Sequence, residues 1–170
     1  VETTTGPLGQ GFANAVGMAL GRRMAAARFP EAEGFRPVSH RVYGIVGDGC
    51  LMEGLSSEAA SLAGHLGLGE LIFIYDDNGI SIDGDVSLAF SEDVEMRFTS
   101  MGWHTVRIDG HDPGHIREAL ATAQAETERP SLILARTLIG YGSPNRAGTG
   151  KVHGEALGEE ERRLTKAQLG

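Results

Sequence analysis

Apolar residues along the chain fall into two rhythms. Three short, mostly apolar runs stand out, RVYGIV (41–46), ELIFIYD (70–76) and SLILAR (131–136), with a fourth, more polar strand-like segment, HTVRID (104–109). Their length and their Val and Ile content predict strands buried on both faces. Between the runs, apolar residues recur at helical spacing over 8–28, 56–66, 91–101 and 112–126, and again in the amphipathic tail EALGEEERRLTKAQL. Ser91 is the expected N-cap of the third helix, with carboxylates in its first turn. Asp112 is the expected cap of the fourth, with Pro113 at its first position. Gly67 reads as a helix stop, and Pro30, Gly34 and Pro37 mark a loop over 30–40. Strands alternating with helices predict an α/β fold, a mostly parallel sheet with helices on both faces.

Composition narrows the classes of partner. The 170 residues carry a net charge of −8, which argues against nucleic acid and against an anionic membrane surface, since both require basic patches. A single cysteine, Cys50, excludes an internal disulfide framework and suits a reducing, cytoplasmic setting. No apolar run approaches the ~18 residues of a membrane helix, and no basic-then-apolar leader opens the chain. The start, VETTTGPLGQG, lies in a Thr/Gly-rich loop and reads as an internal piece of a longer product. The 25 glycines collect at the ends of apolar runs rather than in a repeat, where positive φ or close backbone approach is needed.

Two of those run ends carry chemistry. GDGCLMEGLSSE (47–58) follows the first predicted strand, and YDDNGISIDG (75–84) ends the second. In a parallel sheet, ligands bind beyond the carboxyl ends of the strands. Asp48 and Asn78 would meet at that edge, each offering a hard oxygen suited to Mg²⁺, which keeps phosphate oxygens and water in an octahedral shell. A backbone carbonyl just past Asn78 could add a ligand. Gly49 could bring its backbone N–H close to a phosphate, and the helix expected from about Ser56 would aim further donors there. The competing reading is two tight turns, because Asp and Asn beside Gly are common turn formers.

The longer strings TTGPLGQGFANAVGMA, GDGCLMEGLSSEAASLAGHLGLGELIFIYDDNGISIDG and KVHG resemble transketolase, a thiamine diphosphate-dependent family, from Glu2 to about Gly154. The resemblance covers the later part of the N-terminal diphosphate-binding domain. It therefore implies that residues 1–170 are a single partial domain, with the pyrimidine-binding and C-terminal domains elsewhere. It implies thiamine diphosphate and Mg²⁺ (or Ca²⁺) as cofactors, sugar phosphates as substrates, and transfer of a two-carbon ketol unit from a ketose phosphate to an aldose phosphate. It also implies a homodimer, or a separate chain carrying the pyrimidine domain. A related ketol transferase such as dihydroxyacetone synthase, or a non-catalytic phosphate-binding α/β module, is the alternative.

Residue by residue, the resemblance assigns Asp48, Asn78 and the Ile80 carbonyl to the metal and Gly49 to the diphosphate. Gly6 and Leu8 fall in a loop touching the cofactor, and Ile82 on its thiazolium ring. Read without it, Leu8 and Ile82 are core residues. Glu53 and Glu58 match glutamates at the dimer interface that belong to a proton relay linking two active sites, and Glu53 is also assigned to the cofactor site. Their plainer reading is acids in a helix's first turn. His153 matches a histidine that contacts the diphosphate and serves proton transfer near the substrate. His65 is expected to pack within its helix, Cys50 to be a small buried residue, and His111 to cap a turn without a role. No side-chain nucleophile is needed where the cofactor supplies one.

Overall fold

In the computed structural model, which describes residues 1–82 and 84–170, four strands form one parallel sheet. They are β1 (Val42–Gly47), β2 (Leu71–Asp77), β5 (His104–Asp109) and β6 (Ser131–Arg136), in the spatial order β1-β2-β6-β5. A two-stranded hairpin of β3 (Ile80–Ser81) and β4 (Gly84–Asp85) leaves the end of β2. The helices are α1 (Gln10–Arg28), α2 (Asp48–Met52), α3 (Gly54–His65), α4 (Val94–Ser100), α5 (Pro113–Ala125) and α6 (Glu159–Leu169).

Each sheet face has its own apolar layer. On one, Phe12 and Ala19 of α1 and Ala60 and Ala63 of α3 pack on Phe73 and Leu134 around Trp103. Phe12 stacks on Phe73 with centroids 4.1 Å apart, and the buried Trp103 indole donates to the Ala60 carbonyl at 2.9 Å. On the other, Ala119 and Ala123 of α5 lie on Ile72 and Ile133. Two covered faces explain why β2 and β6 are nearly all apolar. Two glycines are demanded by contact. A Cβ at Gly44 would sit 2.2 Å from the Phe73 ring, and one at Gly64 would sit 1.8 Å from the Met101 carbonyl oxygen.

Several expectations need correction. Asp93, not Ser91, caps α4, its carboxylate accepting from the Met96 amide at 2.9 Å; the aspartate sits immediately before the first helical residue, and Ser91 does not. The third predicted strand forms as β5, but neither β1 nor β5 is buried on both faces: they are the two edges of the sheet, and β5 holds no buried residue. Tyr43 and Ile45 are exposed, because β1 is an edge strand that α5 reaches only at its end, where Gln124 donates to the Tyr43 hydroxyl at 2.8 Å. The long first helix begins at Gln10, two residues later than its apolar rhythm suggests, because Gly9 at φ 81° turns the chain into it. The tail is helical only from Glu159, after Gly158 at φ 79°. His65 is exposed at the end of α3 rather than packed, and Cys50 is half-buried.

The register sets the site. Gly47 pairs with Asp76, Asp77 with Arg136, and Arg136 with Asp109. The four carboxyl ends therefore share one edge.

Candidate functional site

Beyond that edge opens a cleft of about 660 Å³, lined by Asp48, Tyr75, Asp77, Asn78, Ile80 and Arg136 among others. Asp48 is not in a bare turn: it is the first residue of the short helix α2 and is 3% exposed. Its Oδ1 accepts the Tyr75 hydroxyl at 2.6 Å. Its Oδ2 is buried and has no hydrogen-bond partner. A buried carboxylate oxygen without a partner costs free energy unless a ligand completes it.

The electrostatics agree. Burial pushes the Asp48 carboxyl above its ordinary range, and the nearby Asp77 charge adds to this. The Tyr75 hydrogen bond and, less strongly, the backbone N–H groups of Gly79 and Asp48 work against it. Tyr75 itself is pushed far up, first by burial and then by Asp48, so it remains a donor. Two carboxylates and a low-dielectric wall make this corner a place for a cation.

Asn78 faces the same cleft and is oriented from both ends. Its Nδ2 donates to Asp76 Oδ2 at 2.9 Å, and its Oδ1 accepts the Ile80 N–H at 2.9 Å. Asp76 is held in turn by the Thr137 hydroxyl on its other oxygen. The chemistry of these partners fixes which end of the amide is oxygen. That oxygen keeps a second lone pair. Gly79, at φ 71°, makes the turn that follows. Asp77 is countered by Arg136 at 3.1 Å and Arg107 at 3.7 Å.

The donor set fits a hard cation. Among the described residues no cluster of three His, Cys, Asp or Glu side chains stands ready to hold a metal. The Asp48 carboxylate, the Asn78 amide oxygen and the Ile80 carbonyl are the candidate oxygen ligands in the lining, with Asp77, Asp85, Glu92 and Asp93 as further acids along the cleft. Such a sparse oxygen set suits Mg²⁺, whose shell is completed by phosphate and water.

The remaining predicted residues lie around this centre. Gly49 follows Asp48 in α2, and a Cβ there would meet Leu8 at 3.1 Å, so the 6–9 loop sits over the start of α2. Leu8 and Ile82 are exposed rather than core. Gly6 is exposed with open space beside it. The segment at Gly150 packs on the Ile82 carbonyl, 3.4 Å from a Cβ built there. His153 follows it and is exposed, outside the lining of the cleft. Glu53 is the N-cap position of α3, and Glu58 is its fifth residue; neither is in the first turn, and both are exposed. Glu53, at the N-cap position, still lies at the positive end of the α3 dipole, whereas Glu58 lies beyond the first turn; the Gly9 backbone closes on Glu53.

Three contributors escaped the sequence reading. Tyr75 looked like an apolar strand residue, and Thr137 like ordinary polar punctuation. His111, assigned no role, accepts the Leu138 N–H through Nε2 at 2.8 Å and stacks on Tyr141. The strand register, Asp77 beside Arg136, is the signal that could have placed Thr137 next to the cleft.

Comparison with known proteins bears on this geometry. Residues 1–170 match the family model described as "Transketolase, thiamine diphosphate binding domain". The chain is 56% identical to transketolase 1 of Escherichia coli K12 and 55% identical to the chloroplastic transketolase-1 of Arabidopsis thaliana. In both cases all of this chain is covered, but only 26% and 23% of the relative. The solved transketolase of Leishmania mexicana superposes with a TM-score of 0.95 at 49% identity, over 100% of this chain and 25% of that one. Transketolase of Pichia stipitis in complex with sedoheptulose-7-phosphate gives 0.94 at 46%, over 99% and 25%. The chain spans about a quarter of the length of the relatives it matches, and it belongs to the transketolase thiamine diphosphate-binding domain family.

Proposed function

We propose that this chain is the diphosphate- and metal-binding part of a transketolase. The enzyme would move a two-carbon ketol unit from a ketose phosphate to an aldose phosphate. The observation that carries the reading is the buried, unpartnered Oδ2 of Asp48, facing a cleft shared with Asn78 and Ile80. That a Pichia stipitis relative is known in complex with sedoheptulose-7-phosphate supports the substrate class.

Asp48 Oδ2, Asn78 Oδ1 and the Ile80 carbonyl would hold Mg²⁺ or Ca²⁺, and the ion would hold the diphosphate. Thiamine diphosphate, when bound, supplies a carbanion that breaks and remakes the carbon–carbon bond. The protein's own residues orient and protect. The Gly49 N–H lies beside Asp48 for a diphosphate oxygen. Leu8, Gly6 and Ile82 offer an exposed loop and apolar surface for the rest of the cofactor. His153 is the group for proton transfer and diphosphate contact at the substrate end.

Glu53 and Glu58 are exposed here and would be covered by a second subunit, where a glutamate pair can share and pass protons. Residues 1–170 form one partial domain on this reading; the pyrimidine-binding part comes from the same polypeptide as a homodimer, or from a separate chain. Among the described residues no helix is long and apolar enough to cross a membrane, and the cytoplasm is the proposed compartment.

The test uses the full-length protein with thiamine diphosphate, Mg²⁺ and a ketose and aldose phosphate pair. Ketol transfer is expected from it and not from residues 1–170 alone, which lack the cofactor-activating pyrimidine domain. Turnover by the isolated chain, or none by the full-length protein, contradicts the reading.

A further inference from the structure

The segment from Leu138 to His153 leaves β6 and ends beside the β3–β4 hairpin. Its start is held by His111, which accepts the Leu138 N–H and stacks on Tyr141 at 4.1 Å. Its interior closes on itself: the Gly148 N–H donates to the Ile139 carbonyl at 2.9 Å and the His153 N–H to the Gly150 carbonyl at 3.0 Å. Its middle is tied to α6 by one carboxylate. Glu161 accepts from the Ser143 hydroxyl, from the Asn145 N–H at 2.9 Å and from the Asn145 side-chain amide at 2.9 Å. Glu161 and Ser143 are both buried. Two turns further along α6, Leu169 packs against Gly142, where a Cβ would sit 2.6 Å away. Arg146 spans the base of the segment, donating to the Ala156 carbonyl at 3.1 Å.

A glutamate buried among neutral donors is stable only while all of them are in place. The three donors lie within three consecutive residues of the segment, so the carboxylate reads their relative positions and fixes them.

We propose that Glu161 is a positioning residue: by gathering the 143–145 turn onto α6 it holds the 138–153 segment against the β3–β4 hairpin and so sets the position of the exposed His153 at the end of that segment. What His153 then does rests on the transketolase reading; the joint itself does not.

Glu161→Gln separates hydrogen bonding from charge. The Asn145 amide can turn over, present its oxygen to the new NH₂ and preserve three bonds. Glu161→Ala removes them all.

Both variants are made in the full-length protein, alone and with His153→Ala. Amide hydrogen exchange is read at Gly148 and His153, and kcat/KM with sugar phosphates. Glu161→Ala should exchange about tenfold faster at both amides, with Glu161→Gln within about threefold of the parent. It should lower kcat/KM about tenfold, but less than about twofold when His153 is already alanine, since coupled residues are not additive. If Glu161→Ala does not fold, Asn145→Ala, which removes one of the three bonds, should show the same directions at about threefold in exchange and in kcat/KM. Parent-like exchange in the alanine variant overturns the joint. A full tenfold loss in the His153→Ala background overturns action through His153. Absence of ketol transfer in the parent overturns the functional reading instead, and exchange alone then decides the joint.

Discussion

Asp48 and Glu161 are both nearly buried carboxylates, 3% and 8% exposed, in opposite surroundings. Asp48 has one phenol on one oxygen and no hydrogen-bond partner on the other, though the Gly79 backbone N–H lies near the carboxylate. Glu161 has three donors. Burial pushes the first above its ordinary range. Hydrogen bonds from Ser143 and then Asn145 draw the second below it. A carboxylate completed by its own chain works as a joint. One left incomplete, in an acidic cleft, marks where something from outside must complete it. Burial alone therefore does not tell a ligand site from a structural one; the count of partners does.

That contrast can be broken most severely at Asp48. In the full-length protein, Asp48→Ala should weaken Mg²⁺-dependent thiamine diphosphate binding about a hundredfold, ~2.8 kcal/mol, measured by calorimetry. The 138–153 amides should exchange as in the parent. A parental affinity would return Asp48 to a turn and helix-start role.

Tyr75→Phe sharpens the same side. It leaves both Asp48 oxygens without a donor and lets the carboxylate swing. Mg²⁺ affinity should drop about tenfold, ~1.4 kcal/mol, as for other residues that orient metal ligands. A change smaller than twofold would show that the phenol only fills space.

On the Glu161 side the handle is pH. Its folded value lies below the ordinary 4.5, so the joint is fully supported above that pH and loses support as pH falls through the folded value. Ser143, Asn145 and the nearby Arg146 are the groups that face it. The ratio of parent to Glu161→Gln exchange at His153 should rise about threefold as pH falls from above 4.5 through the folded value. A flat ratio contradicts an ionised joint.

The smallest effect is on Asp48 without metal. Its folded value is raised, so its favourable contribution is present below the ordinary value and lost as pH rises through the folded one. At neutral pH the metal-free parent therefore carries an uncompensated charge. Asp48→Asn should melt at the same or a slightly higher temperature in chelator. A clear drop would mean that the charge already has a partner.

Much of the fold was legible because its central strands are apolar on both sides and its helices are not. β2 and β6 follow directly from ELIFIYD and SLILAR. β1 misled: RVYGIV is as apolar as a buried strand, yet Tyr43 and Ile45 are exposed, and apolar content cannot distinguish a covered strand from an edge. The start of α4 was misplaced because Ser91 and Asp93 are both good caps, and only the backbone decides between them. At the site, Asp48, Asn78 and Ile80 were legible from spacing and resemblance, since a strand–helix–strand path returns to one edge. Tyr75, Thr137 and Glu161 were not. Their roles come from partners 27, 61 and 18 positions away, and no local pattern records such pairings.

The central claim is that the open oxygen of Asp48 is completed by a divalent cation. Mn²⁺, visible by electron paramagnetic resonance, is titrated into the full-length protein with thiamine diphosphate, in the parent and in Asp48→Asn. The account predicts one tightly held Mn²⁺ per parent chain, displaced by Mg²⁺, and at least tenfold weaker binding in the variant. Equal Mn²⁺ binding by the two proteins would contradict it.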